Sequence, residues 1–189
     1  MYAYLMHQRH IDREVISYFV HEKLLYEDKH HNCVFVGLDD SGEAKHAHIR
    51  STNSEGQVFR MNIEGSASEH CFHKGGTDKS LYVFEAPIDL MSYCTLHRQV
   101  TSNAVALCGV FGKALENYLK DYPHIKQIGL CLDADDPGRI AAERLRAQYE
   151  AAGYTIKLQT PPRGKDWNEY LQQRGSVRER GDQRQTATR

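Results

Sequence analysis

The chain has 189 residues, is 40% hydrophobic and 26% charged, and carries a formal net charge of −1, enough apolar content for one large core or two small ones. The balance of charge excludes a globally basic nucleic-acid-binding protein, so any such contact has to be local. No apolar run approaches twenty residues, and the start "MYAYLMHQRH" lacks a signal-peptide core, so a cytoplasmic protein with no membrane segment is expected.

Residues 11–26, "IDREVISYFVHEKLLY", place Ile11, Val15, Ile16, Phe19 and Val20 at helical spacing, which predicts a helix. "NCVFVGL", "AKHAHIR" and "GQVFRMN" follow as strands, separated by the turn sequences "DDSGE" and "TNSEG", so the first part reads as an antiparallel meander with one helix. In "AKHAHIR", His46 and His48 alternate with Ala47 and share one strand face. A solvated polar face is expected there rather than a ligand site.

At "HKGGTDKS", residues 73–80, Gly, Thr, Asp and Ser interrupt the pattern, and beyond it strands and helices alternate. "LYVFE", "NAVAL", "IKQIGLCL" and "YTIKLQT" read as strands. "PIDLMSYCTLH", "KALENYLKDY", "RIAAERLRAQYEAAG" and a last segment around "WNEYLQQ" read as helices, the third ending on a capping glycine. Near-continuous apolar strands alternating with helices imply an α/β domain with a parallel sheet covered on both faces. The expected organisation is an α+β subdomain at residues 1–76, the α/β domain at 77–173, and a disordered tail at 174–189 whose five arginines and two acids leave it at +3.

The five cysteines contain no Cys-x-x-Cys pair and read as reduced, mostly buried thiols. His30, His31 and Cys33 in one segment, and His70, Cys71 and His73 in another, match no standard zinc spacing, so no zinc is expected.

Catalytic chemistry concentrates in the second half. In an open parallel sheet, ligands bind beyond the carboxyl ends of the strands. "LYVFE" ends in Glu85 and "IGLCLD" ends in Asp133, so two acids come from two strands at one sheet edge. Asp135 follows Asp133 at a spacing of two, on the same side if the backbone is extended. Asp136 is expected to cap the next helix, with Pro137 in its first position, Gly138 admitting close approach and Arg139 adding a cation. A helix start beside clustered carboxylates suits a phosphate joined to protein through a hard divalent ion, Mg²⁺ or Mn²⁺. The expected chemistry is phosphodiester transfer or hydrolysis.

Glu85 ending a strand, Asp89 four residues on, and "LDADDPGR" after a later strand resemble the Toprim (Rossmann-like) domain shared by bacterial primases, topoisomerases, certain nucleases and RecR-type repair proteins. "FEAPIDLMS", "LDADDPGRIAAERL", "VALCGV" and "PRGKDWNEYL" are similar, in order, to segments of DnaG-type bacterial DNA primase cores, with Ala86 where those carry glycine. The N-terminal "AHIRST" and "HCFHKGG" resemble the region preceding Toprim in primase-like proteins of mobile elements.

The resemblance implies a primase-like nucleotidyltransferase using Mg²⁺ or Mn²⁺, single-stranded DNA and nucleotides, with a helicase or relaxase as a partner. It further implies Glu85, Asp133 and Asp135 as catalytic metal ligands, Asp166 as an additional acid near the metals, and Asp89 orienting them from behind. Asn168 replaces a second acid and weakens that outer position. Gly138, Arg139 and Lys165 would meet phosphate, and Lys45, Arg50 and Arg60 would contact nucleic acid or nucleotide. No zinc ribbon accompanies these motifs, so the chain is expected to be a fragment or to depend on a partner for template choice. A metal-dependent nuclease and a non-catalytic nucleic-acid-binding module are the alternatives; no histidine is expected beside the acids to serve a nuclease as base.

Overall fold

The computed structural model describes residues 1–53, 58–98, 102–109 and 112–174. Most of the expected 174–189 tail lies outside them. A short π-helix, Tyr4–Gln8, precedes α1, Arg13–His21. The expected helix over 11–26 is therefore shorter than its spacing predicts. Lys23 adopts a left-handed φ of 60° and Leu24 N–H donates back to the Phe19 carbonyl, closing the helix. Leu25–Glu27 is then free to form strand β1, its Leu25 buried opposite Phe35.

Sheet A runs β1-β2-β3-β4, all antiparallel, where β2 is Cys33–Leu38, β3 Ala44–Arg50 and β4 Arg60–Asn62. This is the expected meander. His46 and His48 share a face as expected, but both are buried, so the face points inward and not to solvent. Alternation states which residues share a face of a strand; only packing decides which face is covered.

Sheet B has the order β5-β7-β6-β8-β9. Strands β6 (Ser80–Phe84), β7 (Asn103–Ala106), β8 (Gln127–Leu130) and β9 (Thr155–Leu158) are parallel. The two-residue β5, His73–Lys74, lies antiparallel on the β7 edge, so one strand from before residue 77 joins the C-terminal sheet. Helices α2 (Pro87–His97), α3 (Lys113–Asp121) and α4 (Asp136–Ala151) flank the sheet, and a last helix begins at 167. Helix α4 ends as its glycine predicts, with Gly153 at a φ of +88°.

The two sheets share one core. Phe72, fully buried just before β5, packs against Phe19 of α1 at 5.2 Å and Phe35 of β2 at 5.4 Å between ring centroids. Gly37 makes the crossing possible: a Cβ there would stand 1.6 Å from the His70 carbonyl oxygen, so only glycine lets the 70–71 backbone lie across β2.

Candidate active site

Strands β6 and β8 are parallel neighbours with Val83 opposite Leu130, so their carboxyl ends open at one edge. Glu85 is the residue after β6. Beyond β8, the buried Cys131 and Leu132 carry the chain to Asp133. The Asp133 N–H donates to Glu85 Oε1 at 3.2 Å, and the Glu85 carbonyl accepts from Cys108 N–H at 3.0 Å. Glu85 is thereby fixed by the strand ends on both sides of it.

The turn into α4 differs by one residue from the sequence expectation. Asp135, not Asp136, is the N-cap, its Oδ1 accepting the Gly138 N–H at 2.9 Å. Asp136 is the first helical residue, exposed, and paired with Arg139 Nη2. Asp135 has the extended backbone, φ −84° and ψ 174°, that a cap requires. Its other oxygen, Oδ2, lies 3.0 Å from Lys165 Nζ, which is also 3.6 Å from Asp133 Oδ2. Asp133 and Asp135 thus point to one side, and the lysine bridges them. Gly138 works by close approach: a Cβ would meet the Asp133 carbonyl oxygen at 2.2 Å and Glu85 Oε1 at 2.9 Å. Arg139 also donates to the Ala134 carbonyl.

The acids hold different charge states. Desolvation first, then Glu85 and Asp166, push the Asp133 carboxyl up to about 7 against the opposing pull of Lys165. Burial likewise raises Glu85, opposed by the Asp133 N–H. Asp135 is held below the usual carboxylate range by the Gly138 N–H and by Lys165. Asp89 is buried in α2 and raised well above its ordinary value, by desolvation and then by Asp166 and Asp133. Carboxyls whose charged forms are disfavoured by burial and by one another are a set that a divalent cation relieves, and all-oxygen donors fit Mg²⁺ or Mn²⁺.

Behind this edge, Asp89 Oδ1 accepts the Asn168 N–H at 3.1 Å. The Asn168 side chain is buried and donates to the Arg9 carbonyl at 2.8 Å and Ser92 Oγ at 2.9 Å, while its Oδ1 accepts from Arg9 Nη1 at 3.2 Å. Asn168 therefore joins the chain start to α2. Asp166 Oδ1 accepts the Glu169 N–H at 2.7 Å at the start of the last helix.

A cleft between sheet A and the start of α2 is lined by Arg9, His48, Arg50, Arg60, Asp89 and Asp166. It gathers Arg50 and Arg60, cross-strand partners on β3 and β4, with Asp89 and Asp166; Glu85, Asp133 and Asp135 are not among its lining residues. Lys45 is not among its lining residues; it pairs with Glu43 at 2.6 Å and Asp39 at 3.5 Å. Two lining residues were missed in the sequence. Arg9 carried no local signal, because its partner Asn168 is 159 residues away. His48, set aside with a solvated face, is buried and lines the cleft with Asp89 and Asp166. Its Nδ1 is 2.7 Å from Asn62 Oδ1, and burial lowers its pKa, so the ring is neutral at pH 7.

Two family models match the chain, Toprim-like over residues 82–171 and a protein of unknown function, DUF3991, over 3–88. An uncharacterized protein of Bacillus anthracis is 26% identical over 218 residues, covering 93% of this chain; the chain spans 63% of that relative's length. The crystal structure of the primase fragment of the bacteriophage T7 primase-helicase protein superposes with a TM-score of 0.64 at 22% identity, covering 93% of this chain and 71% of that one. The Aquifex aeolicus primase, with its zinc-binding and RNA polymerase domains, gives 0.61 at 18% identity, covering 92% of this chain and 52% of that one. At these identities the likeness is one of fold. Among the described residues, no helix is long and apolar enough to cross a membrane.

Proposed function

From a chain that carries a Toprim-like domain at residues 82–171 and has the fold of primase cores, we propose that it catalyses metal-dependent nucleotidyl transfer on a single-stranded DNA template. The observation that carries this reading is the hydrogen bond from Asp133 N–H to Glu85 Oε1, which draws carboxylates from two strand ends together beside the α4 start. Glu85, Asp133 and Asp135 are the ligands for Mg²⁺ or Mn²⁺, which when bound neutralises phosphate charge and steadies the attacking and leaving oxygens. Asp89 braces the site through Asn168, and Asp166 adds negative charge at the cleft.

The remaining roles belong to the cations. Lys165, released from the carboxylates when the metal binds, is 55% exposed at its side chain and free to meet a nucleotide phosphate. Arg139 flanks the helix start. Arg9, Arg50 and Arg60 line the cleft, where guanidinium groups suit bidentate phosphate contacts from template or nucleotide. Lys45 is left out of this assignment. A helicase partner is part of the proposal, by analogy with the T7 primase-helicase protein.

One observation favours a second reading. His48, neutral and lining the cleft with Asp89 and Asp166, is a residue type that serves as general base in hydrolysis, so a metal-dependent nuclease is the alternative. Incubation with single-stranded DNA, labelled nucleotides and Mg²⁺ or Mn²⁺ separates them. Extended products that vanish in Glu85→Gln and Asp133→Asn variants support nucleotidyl transfer; shortened DNA supports the nuclease. DNA binding without either product by the folded protein would sink both and leave a binding module.

A further inference from the structure

A second set of ligand-type side chains lies away from the carboxylates. Among the described residues, His46, Cys71 and Cys108 form the one group of three His, Cys, Asp or Glu side chains whose ligand atoms all lie within 4.8 Å of one another, and all three are buried. They come from separate parts of the fold: His46 from β3, Cys71 from the crossing loop before β5, Cys108 from just beyond β7. At 25 and 37 residues apart in sequence, the three share no local spacing. His73, beside Cys71 in sequence, instead binds the Cys71 carbonyl through Nδ1 at 2.7 Å and stacks edge-on against Tyr118.

The backbone is shaped to bring the group together. Gly37 is the cross-strand partner of His46, and its missing Cβ is what admits the 70–71 backbone onto β2. Cys71 Sγ thereby reaches 3.8 Å from His46 Nε2. Cys108 occupies a left-handed φ of 51°, uncommon for a residue other than glycine, asparagine or aspartate. One distance points to a missing ligand. A sulfur and a nitrogen bound to one tetrahedral zinc, at bond lengths of about 2.3 and 2.0 Å, stand about 3.5 Å apart. The observed 3.8 Å from Cys71 Sγ to His46 Nε2 is close to that separation.

We propose that His46, Cys71 and Cys108 bind a single soft divalent transition metal, zinc foremost, that ties sheet A to the end of β7. Two thiolates and an imidazole select such an ion over Mg²⁺ or Mn²⁺, so this site and the carboxylate site take different metals. The fourth position of the tetrahedron is left to water or another small donor. The site also reaches the active edge. Cys108 N–H holds the Glu85 carbonyl at 3.0 Å, and the Cys108 carbonyl accepts from Asn62 Nδ2 at 3.1 Å, whose Oδ1 meets His48. Metal at Cys108 therefore fixes the backbone that carries Glu85 and the side chain that steadies His48.

The test uses the full chain, stripped with chelator under reducing conditions and titrated with Co²⁺. Thiolate-to-cobalt charge-transfer absorption together with tetrahedral ligand-field bands, saturating at about one equivalent and abolished by added Zn²⁺, is the expected result. The signal is lost in Cys71→Ser and Cys108→Ser and retained in a Glu85→Gln, Asp133→Asn double variant. Zn²⁺ raises the melting temperature of the unmodified protein, which reads the site without any variant. A folded, reduced protein that gives no thiolate charge-transfer band overturns the proposal, as does an undiminished band in Cys71→Ser.

Discussion

Glu85 Oε1 accepts the N–H of Asp133 at 3.2 Å, joining residues 48 apart in sequence across the ends of β6 and β8. Glutamine keeps the accepting oxygen and removes the charge, so Glu85→Gln separates the two contributions. The fold is expected to survive, with a stability change within about 1 kcal/mol. After burial, the Glu85 charge does most to raise Asp133, so the Asp133 pKa falls in this variant. Mg²⁺ affinity falls as well, and nucleotidyl transfer drops by about 10² or more. Carboxyl NMR titration, calorimetric Mg²⁺ binding and primer extension read these three effects.

The second prediction concerns pH. Asp133 titrates near 7 in the folded chain against an ordinary 3.8, so between those values the folded state holds a proton that the unfolded state has released. Stability contributed by the protonated carboxyl is complete below about pH 4, declines as pH rises toward 7, and is flat above it. The metal-free protein should lose roughly 2–4 kcal/mol across this window. Asp133→Asn should flatten the loss. Urea denaturation at stepped pH measures it; an unchanged slope in Asp133→Asn would mean that another group is responsible. Mg²⁺ binding must follow the opposite trend, strengthening as the proton leaves.

A third prediction comes from Gly138. Its N–H is held by the Asp135 cap, and its bare Cα sits against the Asp133 carbonyl, where a Cβ would approach to 2.2 Å. The obstacle is backbone, which cannot swing aside as a flexible side chain does. Gly138→Ala should therefore cost about 1–3 kcal/mol despite alanine's better helix propensity, and should displace Asp133 from Glu85. Thermal unfolding checks the first effect and loss of Mg²⁺ affinity the second. Gly153→Ala, at the far end of the same helix with φ +88° and open space around it, should lower stability without altering Mg²⁺ binding.

Local signals in the sequence carried much of this architecture. Strand β3 and helix α2 begin and end where alternation, Pro87 and the apolar spacing say they should, and Glu85 and Asp133 emerge at neighbouring strand ends. The expectations that failed depended on packing. Helix α1 stops early because Lys23 turns left-handed and Leu25 finds Phe35. The face shared by His46 and His48 turns inward because the 70–71 loop and Phe72 cover that side of sheet A. The cap fell on Asp135 rather than Asp136, a shift of one residue that spacing alone does not resolve. Arg9 and Cys108 matter through partners distant in sequence, Asn168 and Cys71, and no local pattern announces such pairs.

Lys165 gives the last prediction. Its ammonium stands 3.0 Å from Asp135 and 3.6 Å from Asp133, and each carboxylate raises its own affinity for the proton. A divalent ion binding those acids has to displace this ammonium, so lysine and metal compete. Lys165→Met should therefore tighten Mg²⁺ binding. If the displaced lysine then contacts a nucleotide phosphate, the same variant should bind nucleotide more weakly, raising KM more than it lowers kcat. The two effects have opposite signs, which separates competition from general disruption of the site. Calorimetry with Mg²⁺ alone measures the first, and nucleotide titration at saturating Mg²⁺ measures the second. Weaker Mg²⁺ binding in Lys165→Met would show that the lysine supports the carboxylate geometry instead of competing for it.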